Sequence, residues 1–330
     1  MPAIVTLTVN PAVDIATTVE RIVPGHKLRC APPLVHPGGG GVNVARVAAR
    51  LGADVVALHT AGGLAGDLLG RLLAAERLAT VPVPVAGTTR ENFSVQDLAT
   101  GEEFRFVLPG PTLLPAEWLA FLERCIAWGA AARFVVASGS LPPGVPADFY
   151  ARLAAGLRGR SRLVLDCSGD ALAAALEAEV FALKPSLGEL RQLTGEPLES
   201  ETQQLRACRR LVDAGRVSMV ALSLGAQGAL LVTAGGAWRA AGLPVTVVGT
   251  IGAGDSFVAG LVEALVRDAA PQEALRHAMA ASAATVQTRG TGLCDARQAA
   301  ALLPLVTVEP IADVDRVRRA GTASPATNGG

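Results

Sequence analysis

The chain has 330 residues, of which 50% are hydrophobic and 18% charged, so it can bury a sizeable core and is not a disordered polyelectrolyte. Lys+Arg and Asp+Glu both number 29, and this zero formal charge excludes the basic excess of most nucleic-acid-binding proteins. The length suits one large domain or two smaller ones.

No apolar run reaches membrane-spanning length, and the first residues lack a basic, apolar leader pattern, so a cytoplasmic protein without a membrane partner is expected. Five scattered cysteines with no CxxC pair argue against zinc or dithiol chemistry and for free thiols. Only two lysines occur, Lys27 and Lys184, and only four asparagines, Asn10, Asn43, Asn92 and Asn328. In an arginine-rich chain each survivor is a candidate for a site where the substitute fails, the alternative being chance, because a compact ammonium and a planar guanidinium are not equivalent in a tight site.

Residues 4–9 read as a strand, 43–51 as a helix, 55–60 as a strand and 67–75 as a helix. Buried-type strands follow at 133–137, 163–166, 181–184 and 219–223, with helices at 146–157, 171–178 and 203–214. This alternation predicts an α/β fold: a three-layer α/β/α sandwich on a mostly parallel sheet, with ligands at the carboxyl ends of its strands. Two segments, about 15–35 and 88–108, break the alternation. The second carries a hairpin pattern, and together they predict a small β-sheet lid. The main domain is expected over 1–308, and residues 309–330, with no apolar period, read as a disordered tail.

The strongest motif is Thr250-Ile-Gly252-Ala253-Gly254-Asp255-Ser256, followed by a helical apolar pattern from Phe257 to Val266. Open backbone N–H groups and the helix dipole favour an anion there. Asp255 then reads either as a general base beside a phosphate or as a plain N-cap. Four glycines, Gly38 to Gly41, precede Asn43 at another helix start and permit close approach of a ligand to the backbone. Asn43 and Asp14 are placed to bind sugar hydroxyls, the alternatives being a helix cap and an Asx-turn. Lys27, Arg29 and Arg90 border the lid and could grip a phosphate, although any one of them could be ordinary surface charge. Lys184-Pro185-Ser186-Leu187-Gly188-Glu189 and Ser223-Leu224-Gly225-Ala226-Gln227-Gly228 each follow a strand and could touch a nucleotide. Neither a Walker A nor a Rossmann loop is present where one would be needed.

Together these motifs resemble the ribokinase-like (PfkB-type) sugar kinases over about residues 1–305. His26–Cys30, Pro37–Arg46, Arg105–Gly110, Ser138–Gly144 and Gly290–Cys294 are similar to its phosphofructokinase branch, most of all the minor bacterial 6-phosphofructokinase type. The resemblance implies ATP-dependent phosphorylation of fructose 6-phosphate at C1, with Asp255 as base and Gly252, Ala253 and Gly254 as anion hole. It implies that Asp14, Gly38, Gly39 and Asn43 bind the sugar and that Arg29, Arg90 and Ser140 hold its phosphate. It puts Lys27 near the transferring phosphoryl group and Lys184, Ser186, Ser223, Gly225, Gly228, Thr250 and Ser282 along the nucleotide. Mg2+ is implied as cofactor, organised indirectly by Glu189, with a monovalent cation such as K+ as a further candidate and a homodimer through the lids. Ser186 stands where the family usually has Asn, and Gly249 where many ribokinases have Asp. The alternatives are a tagatose-6-phosphate kinase, a 1-phosphofructokinase, or a sugar-phosphate-binding regulator with weak turnover.

Overall fold

The computed structural model describes residues 1–311. In chain order the elements are β1 (Ile4–Thr8), β2 (Ala12–Val19), β3 (Leu34–Gly38), α1 (Gly40–Arg50), β4 (Val55–Ala61), α2 (Gly63–Ala75), β5 (Ala79–Pro84), β6 (Arg90–Asp97), β7 (Glu103–Val107), α3 (Pro115–Gly129) and β8 (Phe134–Ser138). Then come α4 (Phe149–Leu157), β9 (Arg162–Asp166), α5 (Gly169–Ala175), β10 (Val180–Leu183), α6 (Leu187–Thr194), α7 (Glu201–Asp213) and β11 (Val217–Ser223). The chain continues through β12 (Gly228–Thr233), β13 (Gly236–Ala241), α8 (Ala253–Val266), α9 (Pro271–Thr285), α10 (Ala296–Leu302) and β14 (Val308–Ile311).

The main sheet has ten strands in the order β14-β13-β12-β11-β10-β9-β8-β1-β4-β5. From β11 to β5 neighbouring strands are parallel, while β11 to β14 pair antiparallel. The expected strands of apolar-run type fall in the parallel part, where both faces are covered and no polar alternation is needed. One core packs α1, α2, α8 and α9 against one face through residues such as Val47, Leu69, Phe257 and Leu275. The other packs α3, α4 and α7 through Phe121, Phe149 and Cys208. Alternating side chains of β1 feed both, Ile4 into the first and Val5 and Leu7 into the second. The three-layer sandwich is as expected.

The lid is a separate four-stranded sheet, β3-β2-β6-β7. Its hairpin, β6 with β7, is antiparallel as expected. The lid strands reach further inward than the sequence pattern indicated. β2 opens at Ala12 and β3 closes at Gly38, so Asp14 and Gly38 are lid residues, while 20–33 forms an irregular connection. The folded domain also extends past 308, because β14 continues to Ile311 and pairs with β13. The rest of the expected tail, 312–330, lies outside the described residues.

Helices α8 and α9 pack so closely that a Cβ on Gly260 would meet the His277 carbonyl oxygen at 2.6 Å. Gly260→Ala is therefore expected to destabilise the fold by about 1–3 kcal/mol, the scale of overpacking a core. Urea unfolding would register this as a lower midpoint with an unchanged slope.

Candidate active site

The chain runs outward from β1 through β4 to β5, then returns to β8 on the other side of β1. This reversal opens a crevice beyond the carboxyl ends of β1 and β8, where open α/β sheets bind ligands. A cavity of about 350 Å³ occupies it, lined by strand ends, by the starts of α1 and α8, and by the lid. The loop leading into α1 lies almost against the sheet. A Cβ on Gly40 would fall 2.2 Å from Ser138 Oγ, and one on Gly41 2.3 Å from the Leu7 carbonyl oxygen. The glycine run is thus a packing requirement that brings the first turn of α1 to the crevice.

Asp255 sits in the first turn of α8, behind an N-cap Gly252 in the left-handed conformation (φ 76°). Its carboxyl is partly open to the cavity and enclosed by protein elsewhere. Asn43 Nδ2 donates to its Oδ2 at 2.9 Å, and Ser138 Oγ to its Oδ1 at 3.4 Å. Burial, with added repulsion from Asp166, pushes its pKa up to about 6, against the lowering influence of Asn43, Lys184 and Ser138. A group with that pKa is ionised at pH 7 yet still basic enough to accept a proton.

Lys184, at the end of β10, is buried and pairs with Asp166 Oδ1 at 2.8 Å. Burial alone would lower its pKa, but Asp166, Glu189 and Asp255 outweigh that and hold it above its ordinary value. A Cβ on Gly254 would lie 3.2 Å from Lys184 Nζ, so this permanent cation rests against the turn that opens α8. Helix N–H groups and an ammonium converge there, an arrangement that stabilises the charge of a phosphoryl group.

On the lid side Asp14 is buried, which raises its pKa despite the hydrogen bond from Asn92 Nδ2 to Oδ1 at 2.9 Å and the nearby charge of Arg90. Gly38 lies directly against this carboxylate. Arg90 donates to the carbonyl oxygens of Leu108 (3.2 Å) and Asn10 (3.1 Å), which fixes its guanidinium, while its Nε is buried without a protein partner. That N–H, with exposed Arg105 beside it in the lining, suits an anionic group on a ligand. Ser140 is held by Asn10 Nδ2 at 3.2 Å. His36 Nδ1 and Thr291 Oγ1 approach to 2.7 Å and tie the lid to the body of the protein.

Of the residues expected at the site, Asp14, Gly39, Asn43, Arg90, Ser140, Glu189, Gly252 and Asp255 line the cavity. Lys27 and Arg29 do not; both are exposed on the 20–33 connection. Ser282 is half-buried within α9, outside the lining, and Thr250 is exposed just before the α8 turn. Ser223 donates to the Pro185 carbonyl oxygen (3.3 Å), and a backbone bridge joins Ser186 to Ser223, so the two strand-end loops are neighbours. Gly225 is exposed and Gly228 buried alongside them. Ser186 has a structural task as well. It caps α6 in a capping box, accepting from Glu189 N at 3.2 Å while its own N–H donates to Glu189 Oε2 at 2.7 Å. Serine caps as well as asparagine, so its presence here has a structural cause.

Asp166, Ser138, Asn92 and Arg105 also line the cavity, though the sequence reading gave none of them a role at the site. Each carried a signal: Asp166 is a carboxylate closing an apolar strand, Asn92 one of four asparagines, and Ser138 and Arg105 each open one of the motifs that carry the resemblance. Cys167 lines the cavity as well, but burial beside Asp166 and Glu189 pushes its thiol up to about 12, so it stays protonated. Among the described residues no group of three or more His, Cys, Asp and Glu could cage a metal. The carboxylates of Asp166 and Glu189 suit instead a hard cation that keeps its waters and arrives with phosphates.

No helix among the described residues is long and apolar enough to cross a membrane. Residues 7–298 match the family model described as pfkB family carbohydrate kinase. The chain is 45% identical over 295 residues to the ATP-dependent 6-phosphofructokinase isozyme 2 of Mycobacterium tuberculosis, covering 89% of this chain and 87% of that protein. It is 34% identical over 312 residues to the 1-phosphofructokinase of Escherichia coli, covering 93% and 98%. Crystal structures of E. coli phosphofructokinase-2, in complex with fructose-6-phosphate and with potassium, superpose with TM-scores of 0.87 and 0.88. Each is 36% identical and covers 92% of this chain and 99% of its own. A buried carboxylate, a helix N-terminus and a fixed arginine thus sit in one crevice, and the chain belongs to the pfkB family of carbohydrate kinases.

Proposed function

We propose that the protein transfers the γ-phosphoryl group of ATP to the C1 hydroxyl of fructose 6-phosphate, giving fructose 1,6-bisphosphate and ADP. The observation that carries this reading is Asp255, a carboxylate of raised pKa at the opening turn of α8, within one cavity of the lid arginines. The names of the 6-phosphofructokinase relatives support the substrate.

In this reading Asp255 takes the proton of the sugar hydroxyl as it attacks in line. The N–H groups of Gly252 to Gly254 and the Lys184 ammonium stabilise charge on the transferring group. Asp14, Gly38, Gly39 and Asn92 orient the sugar hydroxyls, and Arg90 with Arg105 and Ser140 receives the 6-phosphate. The nucleotide extends toward Ser223, Gly225 and Gly228. Asp166 and Glu189 would hold the waters of a Mg2+ ion arriving with the nucleotide, which would supply charge neutralisation at the phosphates. The potassium complex of the relative supports a monovalent cation as a second ion. Catalysis is positioning and electrostatics, with no covalent enzyme intermediate. A 1-phosphofructokinase reading has the support of the 34% relative. The 45% relative favours fructose 6-phosphate.

The lid leaves large apolar side chains in solvent, with Leu34 50%, Phe104 38%, Phe106 55% and Val107 59% exposed. We infer that a second copy of the chain covers them.

Asp255→Asn should lower kcat by about 10² or more, the scale of losing a general base. Because the carboxylate must be ionised to act, wild-type kcat/KM should fall about tenfold per pH unit below about pH 6 and level off above it. Near-normal turnover of the variant would remove Asp255 as base. Arg90→Ala should raise KM for fructose 6-phosphate by tenfold or more, roughly the value of one charge-assisted contact, and leave weak turnover of unphosphorylated fructose unchanged. ADP release measured on fructose 6-phosphate, tagatose 6-phosphate, fructose 1-phosphate and fructose gives both this contrast and the substrate ranking, with fructose 6-phosphate expected first. Light scattering after gel filtration should give a dimer for the wild type and a monomer for Phe104→Asp; a monomeric wild type would remove the lid interface.

A further inference from the structure

Behind the crevice lies a chain of charges that the proposed chemistry does not use. Arg46 is on α1, one turn after Asn43, and is only 2% exposed. Its Nε and Nη2 donate to Glu76 Oε1 at 2.9 and 2.6 Å. Its Nη1 donates to the Pro37 carbonyl oxygen at 2.9 Å and to Asn43 Oδ1 at 3.2 Å. A guanidinium has donors only, so the end of the Asn43 amide that faces it must be the oxygen. The NH2 end is then turned the other way, onto Asp255 Oδ2 at 2.9 Å.

An amide has two faces of opposite polarity and nearly equal shape, so either end could face Asp255 on steric grounds. Turned over, Asn43 would present its oxygen to a carboxylate, a repulsive contact that disfavours the ionised base. A rotated Asp255 would also lose the aim of its second oxygen. Glu76 supports this arrangement twice. It also accepts from Arg50 Nη2 at 3.0 Å, and Arg50 in turn donates to the carbonyl oxygens of Leu293 (2.9 Å) and Cys294 (3.3 Å). Leu293 is the side chain against which Gly252 rests, a Cβ there meeting it at 2.4 Å.

We propose that Arg46, anchored by Glu76, is a positioning residue for phosphoryl transfer: it fixes which end of the Asn43 amide meets Asp255, and so sets the orientation of the base and the pH at which it becomes competent. This rests on the reading of Asp255 as the base. The other charges around the pair are Asp166 and Lys184 facing Asp255 from the ends of β9 and β10, and Asp14, His36, Arg50 and Glu76 around Arg46. None of these donates to Asp255 at hydrogen-bond distance in place of Asn43. The Asn43 bond favours the ionised carboxylate, and its loss moves ionisation to higher pH.

The test is a double-mutant cycle between positions 46 and 43, read as kcat against pH. Arg46→Met is expected to lower kcat by ~10- to 100-fold and leave KM for ATP within about twofold, the pattern of an interaction used in the transition state. Its acid limb should move to higher pH, so that the loss is several-fold greater at pH 6 than at pH 8. In an Asn43→Ala background the same substitution should change kcat by less than about twofold, because the amide it orients is gone. Arg46→Lys keeps the cation opposite Glu76 without the planar fork; it covers the case in which Arg46→Met does not fold, and should show the same dependence on Asn43. Equal losses in both backgrounds, or an acid limb that stays in place, would overturn the proposal and leave Arg46 a structural ion pair. Failure of the base reading is separable, since Asp255→Asn would then retain turnover whatever the cycle gives.

Discussion

The site depends on holding two carboxylates and one ammonium together out of bulk water. Asp166 pairs with Lys184 at 2.8 Å, and Asp255 stands beside them at the mouth of α8. One cation for two anions leaves a carboxylate short of compensation. The shortage falls on Asp255, whose pKa is pushed up to about 6. Glycines, helix dipole and lid all converge on this imbalance. A chain that paired both carboxylates fully would hold a less basic Asp255, because full pairing would pull the pKa down.

The fold explains why these groups can meet although they are far apart in sequence. Asp166 and Lys184 close adjacent parallel strands, and Asp255 opens a helix that packs on the other face of the same sheet. Parallel strands deliver all their carboxyl ends to one edge, so short polar tails after apolar runs collect there. The lid supplies what the sheet edge lacks. Asp14 and Asn92 face one another across the paired strands β2 and β6, and Arg90 begins the second of these.

Much of this was legible in the residues. The parallel strands announced themselves as apolar runs, and the two glycine motifs marked the two helix starts at the crevice. The antiparallel strands β12 to β14 and the helices α3 and α9 were not read, because short strands with small residues and helices rich in Ala and apolar residues carry little periodic contrast. Lys27 and Arg29 looked like ligands of a phosphate because they stand near lid segments in the chain, but the connection between β2 and β3 carries them into solvent. Ser186 also caps α6, a task that did not show before the fold was known. Arg46 closed the Pro37–Arg46 motif without a readable role: one of two arginines in α1, it becomes distinctive only when Glu76, thirty positions away, meets it.

The scarcity of lysine has a consequence for chemical modification. The chain holds two lysines, and Lys184 is buried in an ion pair with Asp166, which leaves Lys27 as the one lysine in solvent. Neutral amines attack acyl phosphates and acyl thioesters, forming an amide and expelling phosphate or thiolate, whereas guanidinium groups do not. A surface whose positive charge is carried by arginine therefore keeps that charge under acylating conditions that would neutralise a lysine-rich enzyme, and the Lys184 ammonium is shielded by its own burial.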